Sequence, residues 1–395
     1  MADNIAVGRN MRTGVVFGGS GLIGGTIVNF YKQRRPGVVD IMAPSSKKVA
    51  LQNCQDIRNY IFSVKPDFVI NAAITNIDAN PQFSFEVNYL GAINIARTAA
   101  ALKIPYIFFS SAATLPDGEN LDEDQALPVT SRLSNYAKSK LMAEETLRFM
   151  AANEGLDYSC IRLGVVYGNH DHKVQGFQRM LFSIADESMP FLFTKKGARH
   201  SYSNSRKIAY LIHHMLDNRD EFGGKTFHFV DPEPVELDRL ILAIKSHLKL
   251  SSPRKIYVPY SVASTGKRSV RIILRMLTKI GLKASLPPEL MFLGAFYRTQ
   301  TLSCARLHAS SFVDPRPDET IFSRLPEMIS YYLNRWSYQN LITTFDEKLD
   351  FDMSIRNDFI NNPTALLESI HHDATSPFIQ TPLINDQPTS NTPTS

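Results

Sequence analysis

Apolar residues along this chain fall into short β-branched or aromatic runs that alternate with stretches of helical spacing. Thr13–Phe17, Gly37–Met42, Asp67–Ala73, Ile104–Ser111 and Asp157–Gly168 read as five strands, apolar enough on both faces to be buried in a parallel sheet. Helical spacing follows the first strand at Ile27–Gln33 and recurs at Asp56–Val64, Pro81–Leu102 and Asn135–Asn153. Parallel neighbours need a crossover between them, so the alternation predicts an α/β fold with a doubly wound parallel sheet. Beyond Gly168 the alternation loosens. Helices are expected at Gly176–Ala185, Ser205–Asp217 and Val235–Leu248, with a strand at Thr226–Val230, and residues 253–340 read as mainly helical. Residues 373–395 are rich in Pro, Thr, Ser and Asn without a Lys or Arg and are expected to be a disordered tail.

Composition narrows the class. With 44% hydrophobic and 21% charged residues, the chain buries an ordinary core, which excludes a wholly disordered, collagen-like or coiled-coil protein. No apolar run approaches the roughly 18–20 residues that span a bilayer. The first ten residues lack the apolar stretch of a secretory signal, so a cytoplasmic protein is expected. Cys54, Cys160 and Cys304 are far apart, which fits a reduced compartment and no disulfide framework or metal knuckle. The net charge of +5 is local: eight Lys and Arg and no acidic residue fall between Ser251 and Pro288. Without them the chain is slightly acidic, so a nucleic-acid surface is not expected. On a helical wheel Lys267, Arg268, Arg271, Arg275, Lys279 and Lys283 share one side, opposite Val270, Ile273, Leu277 and Ile280, while Ile272 falls among the cations. Residues 267–283 read either as a surface helix packed on the fold or as a weak peripheral contact with an anionic membrane.

Candidate chemistry starts at the first strand's end. Gly18-Gly19-Ser20-Gly21-Leu22-Ile23-Gly24 has G-x-x-G-x-x-G spacing and runs into a helix. Glycines let the backbone turn and approach a pyrophosphate, and the helix start offers N–H groups and a positive dipole end, so a Rossmann dinucleotide site is expected. Asp40 lies too early in the second strand to meet the ribose hydroxyls that NAD presents there. The tip instead carries Ser45, Ser46, Lys47 and Lys48, with Ser45 and Lys47 as cofactor candidates. A lysine able to pair with a 2′-phosphate tips the reading toward NADP over NAD. Ser111 ends the fourth strand, and Tyr136 and Lys140 sit i, i+4 on one face of the next helix. Lys140 is expected to stabilise the phenolate of Tyr136 and hold the nicotinamide ribose, Tyr136 to shuttle a proton, and Ser111 to hold the reacting oxygen.

At these residues the sequence resembles the extended short-chain dehydrogenase/reductases, also called NAD-dependent epimerase/dehydratases, over roughly Arg12 to Leu248. The glycine loop, Val69–Ala73 with Asn71, Ala72 and Ala73, Val87-Asn88, Ser110–Thr114 and the Tyr136/Lys140 pair all match family motifs. The match to Ser-Ser-Ala-Ala-Thr assigns the catalytic hydroxyl to Ser111, and Lys65–Ala73 looks like dTDP-4-dehydrorhamnose reductases. The resemblance implies a Rossmann domain over 11–170 and a smaller C-terminal substrate lobe over 171–250 interleaved with it; beyond its reach, the residue pattern leads us to expect a mainly helical extension over 251–372. Ala112-Ala113 stand where dehydratases of the family carry an Asp-Glu pair, and Val165 stands where many UDP-sugar epimerases carry Asn. Asp56-Ile57 is the nearest stand-in for the Asp-Ile/Leu pair that contacts adenine.

The implied activity is an NAD(P)-dependent oxidoreductase or epimerase acting on the carbonyl or secondary alcohol of a nucleotide-linked or otherwise anionic sugar. Thr75, His170, His172, Arg199 and Arg206 are the substrate candidates; Lys195, Lys196 and His200 add to the same basic cluster. No metal is expected at His170-Asp171-His172. A steroid- or lipid-type dehydrogenase with a helical lid, and a non-catalytic NADP-responsive regulator or scaffold, remain the alternatives. Oligomeric state stays open, a homodimer through the helix of Tyr136 being the family's arrangement.

Overall fold

The computed structural model describes residues 11–171, 175–186, 189, 191–192, 197–256, 258–266, 269–270, 293–339, 341, 361–364 and 367–368. Six parallel strands make the central sheet: β1 (Arg12–Phe17), β2 (Val39–Met42), β3 (Phe68–Asn71), β4 (Tyr106–Ser111), β5 (Tyr158–Leu163) and β6 (Lys225–Phe229). Their order is β6-β5-β4-β3-β1-β2. The chain moves outward from β1 to β2 and returns to β3 on the other side of β1. That reversal opens a crevice beyond the carboxyl ends of β1 and β3, the place where open α/β sheets hold ligands.

Helices cover both faces: α1 (Leu22–Asn29), α2 (Cys54–Val64), α3 (Ala92–Leu102), α4 (Asn135–Glu154) and α5 (Ser205–Asp217). Strand residues alternate between the layers, as period-2 geometry requires. Val15, Phe17, Tyr106 and Phe108 join Ile57 and Ile61 of α2, Ile95 of α3 and Leu147 of α4. Val16, Ile107 and Phe109 join Ile27 of α1 and Ile208 and Ile212 of α5. Each such side chain contributes roughly 1.5–3 kcal/mol when fully buried, so the sheet is held from both sides as the apolar strands predicted. Local chemistry starts the helices: Asn53 accepts from the Gln55 and Asp56 amides at α2, and Ser134 from the Ala137 amide at α4.

Several elements differ from their sequence-based expectation. The run Asp157–Gly168 breaks at Gly164, where a Cβ would stand 2.2 Å from the Ser201 carbonyl oxygen. β5 ends before it, and Val165–Tyr167 pairs with Tyr202–Asn204 instead. The strand expected to reach Ala73 stops at Asn71, whose Oδ1 accepts from the Ala73 amide and turns the chain. The helix expected over Pro81–Leu102 includes a π-helical stretch, Ser84–Gly91, ahead of α3. Residues after 251 are not only helical. Gln300–Leu302 joins Val235–Glu236, Arg199–His200 and Gly118–Leu121 in a small four-stranded sheet. This sheet ties residues 171–250 and the following segment to the β4–α4 connection, so all of them fold with the first 170 residues. Met1–Tyr332 forms one compact unit and Leu333–Ser395 a second. The second begins within the helix Ile321–Tyr338. The tail 373–395, His172, Lys195 and Lys196 lie outside the described residues, as does the cationic segment 267–283 except Ser269 and Val270. Among the described residues no helix is long and apolar enough to cross a membrane.

Candidate active site

A cleft of about 1430 Å³ opens at the carboxyl ends of β1, β3 and β4. Its floor is the glycine loop. Gly18 has φ +79°, and a Cβ there would stand 2.5 Å from the Ala73 amide nitrogen. A Cβ at Gly24 would stand 2.2 Å from the Gly18 carbonyl oxygen. The loop therefore lies against the end of β3 with no room for side chains. Gly21 donates to the Gly18 carbonyl at 3.0 Å, and α1 starts without a side-chain cap. Gly18, Gly21, Leu22 and Ile23 line the cleft, leaving the helix start available to an anion. Gly24 lies behind them as the packing contact.

The end of β3 is braced by Asn71. Its Nδ2 donates to the Tyr106 hydroxyl at 3.1 Å, which donates onward to the Ala92 carbonyl, while the Ala72 amide donates to the Phe17 carbonyl at 2.9 Å. Ala72 and Ala73 line the cleft; the buried Asn71 acts from behind them. Ser45 and Ser46 line it at the tip of β2, with no carboxylate beside them. Lys47 is exposed outside the lining, Lys48 lies over the Tyr60 ring at 5.2 Å, and Asp40 is exposed on its strand. Asp56-Ile57 does not reach the cleft: Ile57 is buried in the core, and Val49–Gln52 line that end instead.

The acid–base candidates meet at the mouth of β4. Ser111 and Tyr136 both line the cleft, close enough for the serine hydroxyl to act on the phenol. Successive strand residues face opposite ways, and the buried Ser110 hydroxyl finds no partner. Lys140 follows one turn after Tyr136, and its Nζ donates to the Phe109 carbonyl at 2.7 Å, 4.7 Å from the Phe108 ring centre. The expectation that Lys140 lowers the phenol's pKa is not met here. Burial raises Tyr136, the Ser111 hydroxyl opposes it, and the ammonium is turned to the strand. Burial also pushes Lys140 down to about 8, against the pull of nearby Cys160 and Glu144.

One more turn along α4, Glu144 meets Arg162 of β5 at 2.6 Å, with the two side chains 2% and 0% exposed. The Arg162 guanidinium also donates to the Glu123 carbonyl at 2.7 Å. Thr114 donates to the Ser111 carbonyl at 2.8 Å and lies 3.4 Å from the Glu144 carboxylate. This buried network joins the helix of Tyr136 to the loop of Ser111. Spacing alone did not reveal it, although Glu144 stands at i+8 from Tyr136 on the same face.

The substrate candidates separate. Thr75 lines the cleft, its amide donating to Asn88 Oδ1 and its hydroxyl accepting from Asn88 Nδ2, both at 2.9 Å. Arg199 is exposed outside the cleft lining and pairs with Glu119 at 2.6 Å. Arg206 pairs with Glu327 at 2.5 Å and borders a second hollow of about 590 Å³ beside the glycine loop. His170 borders the same hollow, its Nδ1 2.9 Å from the Tyr331 hydroxyl. His200, Gln300 and Leu302 also line the main cleft. His200 belongs to the basic cluster read from the sequence; Gln300 and Leu302 were not singled out, because two- and three-residue strands leave no periodic signal.

Comparison with known proteins agrees with this geometry. The model of the NAD dependent epimerase/dehydratase family matches residues 15–228. A Methanocaldococcus jannaschii protein provisionally named a UDP-glucose 4-epimerase is 30% identical over 172 residues, 39% of this chain and 56% of the relative. The chain spans about half the length of the curated relatives it matches. The fold is that of the Thermus thermophilus UDP-glucose 4-epimerase complexed with NAD (TM-score 0.58, 18% identity, 81% of this chain and 98% of that one). It is equally that of the Bacillus anthracis dTDP-4-dehydrorhamnose reductase complexed with NADP (TM-score 0.58, 14% identity, 81% and 99%).

Proposed function

This chain belongs to the NAD dependent epimerase/dehydratase family, and we propose that it is an NAD(P)-dependent oxidoreductase or epimerase acting on the carbonyl or secondary alcohol of a nucleotide-linked sugar. The observation that carries the reading is that Ser111, Tyr136 and Lys140 line the same cleft as the glycine loop. The residues fit a dinucleotide. Gly18, Gly21, Leu22 and Ile23 hold its pyrophosphate at the start of α1, and Ala72 and Ala73 form the adjoining floor. Ser45 and Ser46, with Lys47 nearby and no carboxylate in the lining at the tip of β2, favour NADP over NAD. When bound, the nicotinamide exchanges a hydride with the substrate carbon that carries oxygen. Tyr136 gives the proton to that oxygen or takes it away, and Ser111 holds the same oxygen by its hydroxyl. Lys140, its ammonium held at the Phe109 carbonyl one turn from Tyr136, would support the nicotinamide ribose. Ala112 and Ala113 line the cleft where the family's dehydratases carry acid and base, which favours redox exchange over dehydration. Exposed Phe85 and Phe149, on the Ser84–Gly91 segment and α4, support a homodimer through those helices.

The test is mass spectrometry of the purified protein for retained dinucleotide, followed by NADPH and NADH oxidation with 4-keto dTDP-, UDP- and GDP-sugars. Retained NAD⁺ with sugar epimer formation indicates epimerisation; an exchanging NADPH site with cofactor oxidation indicates reduction. No dinucleotide binding and no turnover across the panel would overturn the reading.

A further inference from the structure

Gln300 belongs to a part of the chain that the family match at residues 15–228 does not reach, yet it enters the loop that carries Ser111. Its strand, Gln300–Leu302, pairs in parallel with Gly118–Leu121, just after that loop. Three further backbone contacts fix the strand: the Gly118 amide donates to the Thr299 carbonyl at 2.8 Å, Asn120 to the Thr301 hydroxyl at 2.7 Å, and Ser303 to the Leu121 carbonyl at 2.7 Å. On the other side the Ser201 amide donates to the Gln300 carbonyl at 3.3 Å. From this anchored position the Gln300 amide nitrogen lies 3.0 Å from the Ala112 carbonyl oxygen, 3.1 Å from that of Leu115 and 3.0 Å from that of Pro116. Two N–H hydrogens serve three convergent carbonyls, drawing the start and the end of the loop together. Leu302 adds apolar contact beneath it, in a cluster with Ala112, Leu115 and Leu121.

We propose that Gln300 is a positioning residue for Ser111: its amide gathers the carbonyls of residues 112–116 and so holds the serine hydroxyl against Tyr136. The proposal rests on the functional reading above. The loop is also held at Thr114, whose hydroxyl donates to the Ser111 carbonyl and whose carbonyl accepts from the Leu127 amide, both at 2.8 Å, and Gln300 adds the tie to Ala112, Leu115 and Pro116. The Ser111 hydroxyl accepts from the Ala113 amide at 3.2 Å, within the loop itself, and Leu115 donates to the Ala112 carbonyl at 2.9 Å. Those bonds shape the turn; Gln300 anchors it to the small sheet. The chemistry also makes a sharp forecast for an isosteric change. A Glu at this position is acceptor-only when ionised and would face three carbonyl oxygens. Those oxygens favour its protonated form, which keeps one donor, so its pKa lies above the ordinary value of about 4.3.

The experiment compares wild type, Gln300→Ala, Gln300→Glu and Tyr136→Phe as full chains. Hydrogen–deuterium exchange of peptides covering residues 111–118 is read without substrate, and steady-state turnover is read on the nucleotide sugar found active above. Gln300→Ala is expected to speed exchange at Ala113 and Leu115 by about tenfold while leaving residues 18–24 unchanged. It should lower kcat by roughly 100-fold with little change in the dissociation constant for NADPH. Gln300→Glu should match the Ala variant at pH 8 and regain turnover as the pH falls, relative to wild type at each pH. Unchanged exchange at residues 111–118 overturns the proposal, and so does faster exchange with wild-type kcat, which would make Gln300 only a structural strut. If the wild type turns over nothing, or Tyr136→Phe remains active, the functional reading has failed instead. The exchange result then decides by itself whether Gln300 holds the loop.

Discussion

Two parts of the cleft lining are built differently. The wall from the glycine loop to Tyr136 comes from consecutive strand–turn–helix units: Gly18–Ile23 follows β1, Ala72-Ala73 follows β3, and Ser111 ends β4. The glycine loop, Ala72-Ala73 and Ser111 sit at or within a few residues of the strand that aims them, Tyr136 and Lys140 sit in the first turns of α4, and the strands are pinned by apolar layers on both faces. A second part of the lining is assembled from His200, Gln300 and Leu302, separated along the chain by up to 102 residues and held by strands of two or three residues. One part owes its geometry to local sequence, the other to long-range pairing. A dinucleotide presents the same shape to every such protein and suits the first kind. The second kind is free to change with the substrate, since short strands impose few demands on sequence.

The largest expected effect tests the first wall. Tyr136→Phe removes the proton shuttle and should lower kcat by about 10²–10⁴-fold on the panel's active sugar nucleotide. The dissociation constant for NADPH should stay near wild type, as followed by fluorescence titration. Equal losses of turnover and cofactor affinity would make Tyr136 an anchor and not an acid–base group. On α4, Glu144→Ala leaves the fully buried Arg162 guanidinium without its carboxylate. That should cost about 3–5 kcal/mol in urea unfolding. Because Arg162 also holds the Glu123 carbonyl, loosening should reach the 118–124 segment in hydrogen exchange.

A smaller effect is a pH dependence of cofactor affinity. The Lys140 ammonium is lowered by burial to about 8, so it is charged below that pH and neutral above it. Binding of an anionic dinucleotide to the free protein should hold steady up to about pH 8 and weaken above it by at most about tenfold per pH unit. Calorimetric titrations from pH 6.5 to 9.5 would show the break, and a flat profile would detach Lys140 from cofactor binding. The smallest effect is expected at Arg199. Its guanidinium pairs with Glu119 at the surface and does not line the cleft. Arg199→Ala should leave kcat/KM and Tm within error of wild type, and a raised KM would show that this arginine swings in to hold the substrate.

Most of the first wall was readable from the residue pattern. Alternating apolar runs and helical spacing specified the parallel sheet, because buried strands and crossover helices leave periodic signals of different length. Tightly spaced glycines marked the cofactor loop, because a Cβ at Gly18 would meet the Ala72-Ala73 backbone after β3 and one at Gly24 would meet Gly18 itself. The i, i+4 spacing put Tyr136 and Lys140 on one helical face. Tertiary structure decided the rest. It broke Asp157–Gly168 at Gly164 to make room for Ser201, and turned the Lys140 ammonium to the Phe109 carbonyl. It drew Arg199 and Arg206 to Glu119 and Glu327, and brought Gln300 to the loop of Ser111. Each of these outcomes depends on which distant group supplies the nearest carbonyl or carboxylate. A local pattern records what a residue offers, a donor, a charge or an apolar face; only the folded chain chooses the partner that accepts it.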